Sequence, residues 1–275
     1  MLKKLLKHDF KALFKYWWIV AVVTAGLSVL AGKCITILES KKELPAVLDA
    51  SAGIALMLAY IGIIVFVAFS TVMIFMRYYK NLFTDEGYLT FTLPVKRSDI
   101  LNSKLISAAV FEVATFLVIG FDVLLMLFVA FYKDIFKKEF FIGIKEAVAT
   151  IWKELGGYIF VYLLEGILIT IALFVLALLL LFICITIGSI ITKKAKVIAS
   201  IGIYYAANSA FSFVTMLLVI FGTVALETKF ETLPEGDVKL VVALIALCAL
   251  LFITLICGIF YIINYYLLDR KLNLT

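Results

Sequence analysis

Three carboxylates lie within long apolar stretches of this sequence and are its first candidates for chemistry. Glu112 and Asp122 lie in the third stretch and Glu165 in the fourth. An ionised carboxylate deep in lipid is costly, so it usually marks a pathway for protons or substrate. Counting about 1.5 Å per residue from Lys104 places Glu112 deepest, whereas Asp122 falls near the outer interface. Glu112 is therefore the first candidate for a coupling carboxylate, and a carboxylate bonded to a neighbouring helix is the alternative.

Residue types that support catalysis or metal binding do not group in this chain. Asp85 and Glu86 are adjacent acids, but adjacent side chains point in different directions and no second catalytic group accompanies them. His8 is the only histidine, so a zinc or haem site built on imidazole is not expected. No glycine-rich loop followed by Lys and Ser or Thr occurs. The sequence therefore predicts no catalytic residues, no metal and no nucleotide bound by this chain.

Composition defines the elements that must position these side chains. Of 275 residues, 65% are hydrophobic and 16% charged, which a water-soluble domain with a polar surface cannot accommodate. A bilayer core about 30 Å thick requires roughly 20 apolar residues per helical span. Six stretches reach that length, namely 17–37, 51–76, 105–131, 158–191, 197–226 and 238–268. They are continuously apolar rather than alternating, which favours helices over barrel strands. The predicted fold is all-α, a six-helix transmembrane bundle that forms one domain over residues 1–275.

The distribution of basic residues predicts the orientation of the bundle. Lysines and arginines concentrate in residues 1–15, 77–104 and 193–196, and most acids lie in the other connecting segments. Cytoplasmic loops carry the excess of Lys and Arg, so both termini are predicted to be cytoplasmic. The net charge of +6 is then a topology signal and an attraction to anionic lipid rather than to nucleic acid. We expect a multi-pass protein of the plasma membrane.

Two segments outside the spans have amphipathic patterns. In residues 1–16, leucines and phenylalanines at helical spacing lie opposite lysines, which predicts a helix along the inner membrane surface. Residues 132–157 mix apolar clusters with charges, as an interfacial helix on the extracytoplasmic side would. The sequence assigns no function to this second segment.

The fifth span carries a face of small residues. Gly202, Ala206 and Ala210 are four residues apart, and Asn208 lies close to them as a further polar residue within the membrane. Small faces let helices approach closely, and amides bond across them. The face therefore predicts a tight helix contact, either within one chain or between two chains.

The polar segment 77–104 between the second and third spans is the most patterned part of the chain. Residues 84–87 have turn-like composition, and Pro94 favours an extended conformation at the residue before it. Its charges lack the groups that acid–base catalysis requires. We therefore interpret it as a recognition element on the cytoplasmic side.

Residues 82–104 resemble the segment after the second span in permease subunits of bacterial export-type ABC transporters, particularly those of Firmicutes. In that family an acidic residue and Gly precede a Leu-Pro-Val or similar triplet, a basic residue follows, and a Lys opens the third span. The corresponding residues here are Glu86, Gly87, Leu93, Pro94, Val95, Arg97 and Lys104. Six spans and cytoplasmic termini fit the family more loosely, and the long segment between spans three and four departs from it.

The resemblance implies a coupling helix in the 77–104 loop that docks on a separate ATP-binding cassette ATPase subunit. ATP and Mg²⁺ would be bound by that partner, and a second permease chain, identical or different, would complete the translocation pathway. The docking residues that the resemblance implies are Asp85, Glu86, Gly87, Tyr88, Leu89, Phe91, Pro94 and Arg97. The exported substrate would be hydrophobic or amphipathic: a peptide, a lipid or a drug.

Two other classes of function stay open from the sequence. A secondary transporter or channel would use Glu112 as its coupling carboxylate and would need no ATPase. An inverted repeat would support this reading, and we find none between the two halves of the chain. A membrane immunity or scaffold protein would sequester a peptide or lipid without transporting it.

Overall fold

The computed structural model describes residues 2–39, 46–84, 86–87, 92, 95–192, 195–230 and 234–270. Its long helices are α1 (Leu2–Glu39), α2 (Ala46–Phe83), α3 (Arg97–Ile135), α4 (Lys138–Leu155), α5 (Tyr158–Ile191), α6 (Lys196–Phe230) and α7 (Glu235–Arg270). No strand occurs in these described ranges. The predicted all-α class is therefore confirmed.

Six of these helices, all except α4, are long and apolar enough to cross a bilayer. Each of the six predicted spans coincides with one of them, so the prediction of six membrane-spanning helices is confirmed by length and composition. Large apolar side chains stay exposed along them, as at Leu117 (66%) and Leu251 (60%). Such faces are expected where lipid rather than water surrounds a helix.

The helices pack as two compact units. Unit 1 comprises residues 78–105 and 152–275, and therefore contains α5, α6 and α7 with the adjoining ends of α2 and α3. Unit 2 comprises residues 2–77 and 106–151, and therefore contains α1 and most of α2, α3 and α4. The single transmembrane domain expected for residues 1–275 stays a prediction.

Helix α5 forms the core of unit 1. It packs against α6 and α7, and its second half is almost continuously buried between Leu176 and Gly188. Tyr78 of α2 stacks on Phe182 with ring centroids 3.9 Å apart and planes 4° from parallel. The Tyr78 hydroxyl lies 3.4 Å from Thr186 Oγ1, so its polar end also has a partner in this core.

The α5–α6 connection depends on a glycine. A Cβ atom at Gly188 would lie 2.6 Å from the backbone nitrogen of Ser200 and 2.7 Å from its Cα. Ser200 is fully buried, and its hydroxyl donates to Lys196 O at 2.8 Å and to Ile185 O at 3.3 Å. The two backbones approach this closely only because residue 188 has no side chain.

Helices α1 and α3 of unit 2 make a similar close contact. A Cβ atom at Gly32 would lie 2.6 Å from Met126 O and 2.8 Å from Val129 Cβ. One turn later, the Thr36 hydroxyl lies 3.0 Å from Ala130 O and 3.3 Å from Val129 O. The next residue of α3, Phe131, has non-helical φ and ψ angles of −111° and 20°. The Thr36 hydroxyl also lies 3.1 Å from Gly32 O of its own helix, so its single hydrogen is shared between α1 and α3.

The two amphipathic segments form parts of helices. Helix α1 runs without interruption from Leu2, and the Phe10 ring lies 5.8 Å from that of Phe111 in α3. The apolar face of residues 1–16 is therefore partly covered by protein, and its placement on a membrane surface stays a prediction. Residues 132–157 contain α4, in which no residue is buried. In the turn before α4, the hydrogen bond and charge of Asp134 raise the pKa of Lys137, with Nζ 2.6 Å from Asp134 Oδ1.

Candidate functional site

The loop between α2 and α3 carries the residues predicted to dock on a partner. Five of them, Asp85, Tyr88, Leu89, Phe91 and Pro94, lie outside the described residues. Glu86 is described and exposed, Gly87 is buried, and Arg97 begins α3. The structure thus places three of the eight residues, each in a different environment.

Gly87 shapes the loop from within. Its backbone N–H donates to Thr84 O at 2.7 Å and closes a turn. A Cβ atom at this position would lie 2.6 Å from the carbonyl oxygen of Leu82, a residue that is itself fully buried. A side chain at residue 87 would therefore open the turn. We infer that Gly87 positions the neighbouring Glu86 and offers little contact surface of its own.

Arg97 binds the end of α7. Its Nη1 atom donates to Leu268 O at 3.0 Å and lies 3.0 Å from Asp269 Oδ1, and it also donates to Asp269 O. The last carbonyls of a helix lack helical donors and carry partial negative charge, so a guanidinium is a favourable partner there. The sequence did not predict this role for Arg97. Part of the side chain remains exposed, at 42%.

The α7 contact predicts a local effect of removing Arg97. We expect Arg97→Gln to cost about 1 kcal/mol, because the ion pair is exposed and the bonds to carbonyls are few. Amide hydrogen exchange in the last turns of α7 should quicken. Lys96→Gln is the matched control, since Lys96 is exposed and adjacent. Mass spectrometry of peptides from the α7 end measures the exchange, and equal protection in both variants would contradict the assigned contact.

Arg77, at the other end of the 77–104 segment, binds α1. Its Nε atom donates to Asp9 Oδ1 at 2.9 Å, and Nη2 lies 2.6 Å from His8 Nδ1. Arginine has donors only, so His8 Nδ1 must accept this bond and the ring proton belongs on Nε2. The side chains of Asp9 and Arg77 are only 1% and 16% exposed. This is a buried ion pair, which sequence reasoning missed.

A hydroxyl cluster at Thr115 joins α1, α2 and α3 of unit 2. The Thr115 hydroxyl donates to Phe111 O at 2.8 Å, so its lone pairs face the other helices. They accept the Trp17 Nε1–H of α1 at 2.9 Å, and Ser70 Oγ of α2 lies at the same distance. Because Thr115 has already used its hydrogen, Ser70 must be the donor in that pair. The cluster provides hydrogen-bond partners for three polar side chains among apolar helices.

Glu112, the sequence's first candidate for a coupling carboxylate, lies on the α2 side of α3. It is half-buried, and the Thr71 hydroxyl of α2 donates to its Oε1 at 3.4 Å. The same hydroxyl donates to Val67 O at 3.1 Å, so the bond to Glu112 is long and shared.

Asp122 is more deeply enclosed than Glu112. Its side chain is fully buried beside Thr24 of α1, and neither of its oxygens completes a hydrogen bond of normal geometry. Counting depth along α3 had ranked it below Glu112, because depth does not show which side of a helix meets another helix. The available signal was in α1, where Thr24, Ser28 and Gly32 recur every four residues.

The other two polar candidates belong to unit 1. Glu165 of α5 is half-buried, and its Oε2 atom is enclosed without a hydrogen-bond partner. Asn208 of α6 is exposed, as are all three small residues of the same helix, Gly202, Ala206 and Ala210. The small-residue face is therefore not covered by the described part of this chain.

Six apolar helices and their buried polar contacts define a multi-pass helical membrane protein. Comparisons with protein families, with curated proteins and with solved structures gave no match. The resemblance of residues 82–104 to exporter permeases therefore rests on the pattern of those residues.

Proposed function

We propose that this chain is a permease subunit of an ATP-driven exporter and docks on a separate ATP-binding cassette ATPase through residues 77–104. The observation that supports this most is that both ends of the loop are bonded to other helices. Arg77 joins its start to Asp9 of α1, and Arg97 joins its end to the last turn of α7. A partner that moves such a loop also moves the helices to which the arginines are bonded.

Glu86 is the described residue best suited to contact the partner. It is exposed, and the Gly87 turn fixes its place in the loop. Charged contacts at the rim of an interface favour the correct partner and orientation. The aromatic and leucine side chains that would fill a groove in the ATPase lie outside the described residues, so their role stays a prediction.

The proposed assembly contains a second permease chain and an ATPase that binds ATP and Mg²⁺. The exposed small-residue face of α6 supports the second chain, since Gly202, Ala206 and Ala210 would permit close helix packing. In this proposal both termini and the 77–104 loop face the cytoplasm of a bacterial cell.

A groove between α1 and α3 supports a hydrophobic or amphipathic substrate. It encloses about 540 Å³ near the irregular turn of α3. Its lining is mostly apolar and aromatic, with one cation and two hydroxyls: Lys33, Thr36, Ile37, Phe128, Val129, Tyr132 and Phe136. Such a lining suits an apolar molecule with an anionic or polar end.

The decisive test is recovery of the complex. When the tagged chain is purified from its own membranes, an ATPase should co-purify with it. ATP hydrolysis and nucleotide-binding motifs would identify that partner. Glu86→Lys should weaken this association at least tenfold, which corresponds to about 1.4 kcal/mol. Glu139→Lys is the matched control, because Glu139 is also exposed but lies on α4. Purification of folded chain without any ATPase would argue against the proposal, as would equal effects of the two reversals.

A secondary transporter is the second candidate, supported by the half-buried Glu112 and its long bond to Thr71. Purified chain in vesicles would then transport substrate without an ATPase. Glu112→Gln would abolish that transport.

A further inference from the structure

Asp122 is the buried carboxyl group whose bonding the proposed function leaves unexplained. Its side chain has no exposed surface, and both of its oxygens lack a hydrogen bond of normal geometry. Two α1 residues one turn apart, Thr24 and Ser28, are also buried, at 3% and 2% exposure. A buried polar group without a partner is costly, and an ionised one far more so.

The hydroxyl beside Asp122 belongs to Thr24 of α1, and it already donates to Ala21 O, one turn earlier, at 3.0 Å. A hydroxyl has one hydrogen, so any bond from Thr24 to an ionised Asp122 is shared with Ala21 O and lies outside normal hydrogen-bond geometry. An ionised carboxylate has acceptors alone and needs several full donors when it is buried. A protonated carboxyl group needs fewer donors, because it carries no charge and has a hydrogen of its own.

No positive charge lies among the buried residues of α1 and α2 in the described part of unit 2. These residues are Asp9, Leu13, Thr24, Ser28, Ala31, Gly32, Ala52, Ala59, Phe66, Ser70, Ile74 and Phe75. Asp9 is the one charged residue type among them, and it is bonded to Arg77. Glu112 of α3 is directed to Thr71, and Lys33 of α1 is exposed in the groove. An ionised Asp122 would therefore lack a buried counter-charge.

We propose that Asp122 is a proton-binding site of this protein. While α1 and α3 are packed together, its carboxyl group holds a proton. When α1 separates from α3, water reaches the group, the carboxyl O–H bond breaks with its electron pair left on oxygen, and the proton passes to water. The inference stands apart from the proposed function, because it requires no ATPase.

This site links proton uptake to the α1–α3 contact. The packed state holds one more proton than the separated state, so lower pH favours packing and higher pH favours separation. The close approach at Gly32 and the Thr36 bonds to α3 define the packed state. A substrate or partner that separates these helices would release a proton.

Infrared spectroscopy of the full chain in lipid nanodiscs at neutral pH tests the proposal. We expect the carbonyl stretch of a protonated carboxylic acid in the wild type, with a shift in heavy water. Asp122→Asn should remove one component of this band. That component should persist in Glu112→Gln and in Glu165→Gln, which neutralise the other two carboxyl groups of the predicted spans. Thr24→Ala should keep the component, because the proton belongs to Asp122. A wild type without the band, or an Asp122→Asn variant with the full wild-type band, would overturn the proposal.

Thermal unfolding distinguishes a proton from a metal cation at the same carboxyl group. Asparagine closely resembles a neutral aspartic acid, so Asp122→Asn should unfold near the wild-type temperature. If added Na⁺ or K⁺ stabilises the wild type but not Asp122→Asn, Asp122 is an ionised cation ligand and the proposal is wrong. If Asp122→Asn does not fold, persistence of the band in a chain that carries both Glu112→Gln and Glu165→Gln assigns it to Asp122, and its loss there overturns the proposal.

Discussion

Arg77→Leu is expected to destabilise the protein by about 3–5 kcal/mol, because it leaves the buried Asp9 carboxylate without its guanidinium partner. The pair has a short Nε–Oδ1 distance of 2.9 Å, and the Asp9 side chain is almost fully enclosed. Reversible unfolding of purified chain in mixed detergent measures the loss. Lys80→Leu is the matched control on the same helix, since Lys80 is exposed, and its effect should stay within about 0.5 kcal/mol.

The double variant Asp9→Asn with Arg77→Leu identifies the cause of this loss. Removing the second charge relieves the burial of a carboxylate that has lost its guanidinium partner, so the two costs should not add. Strict additivity, or an Arg77→Leu effect no larger than that of Lys80→Leu, would show that this ion pair is not buried in the folded protein.

Gly188→Ala is expected to cost about 3 kcal/mol, the upper end of what an added methyl group costs in a packed core. The new Cβ would overlap the backbone of Ser200, which cannot move aside as a flexible side chain can. Either α6 shifts away from α5 or the connection between them rearranges. The same detergent unfolding experiment measures this change, and cysteine cross-linking between α5 and α6 reports the displacement.

Gly166→Ala is the control for this substitution, because Gly166 lies on the same helix with nothing within 4 Å of its added Cβ. It should be neutral or stabilise the chain by about 0.5–1 kcal/mol, since alanine loses less backbone freedom in a helix. Similar stabilities for the two alanine variants would rule out the close α5–α6 approach.

The membrane-spanning helices were predictable from sequence because they depend on local composition. About 20 consecutive apolar residues suffice to identify a span, and α5 and α7 show this pattern over nearly their whole length. The α3 prediction ended at Phe131, where the structure has its irregular residue. The end of an apolar stretch is visible in the sequence because it depends only on residues that are adjacent in the chain.

The partners of the charged side chains were not predictable in the same way. Arg97 binds a carbonyl 171 positions later, and Arg77 binds a carboxylate 68 positions earlier. Nothing in the local sequence distinguishes these arginines from a basic residue exposed for docking. Their partners depend on which helices pack together, and that is decided by the whole chain.

The relative burial of Glu112 and Asp122 illustrates a second limit. Both lie in one continuous helix, and counting residues gives only their position along the helix axis. Burial also depends on rotation about that axis, which brings Asp122 against α1 and Glu112 towards α2. A single sequence contains little information on that rotation beyond the small and polar residues of the facing helix.

The bonds of Arg97 have a mechanical consequence. Arg97 is the first residue of α3, and its guanidinium donates hydrogen bonds to the final carbonyls of α7. A force on the preceding loop therefore acts on two helices at Arg97. It reaches α3 through the covalent backbone and α7 through hydrogen bonds. The backbone connection between the loop and α3 cannot break, whereas the hydrogen bonds from Arg97 to α7 break above a threshold force. A small displacement of the loop would thus move both helices, and a large one would move α3 alone.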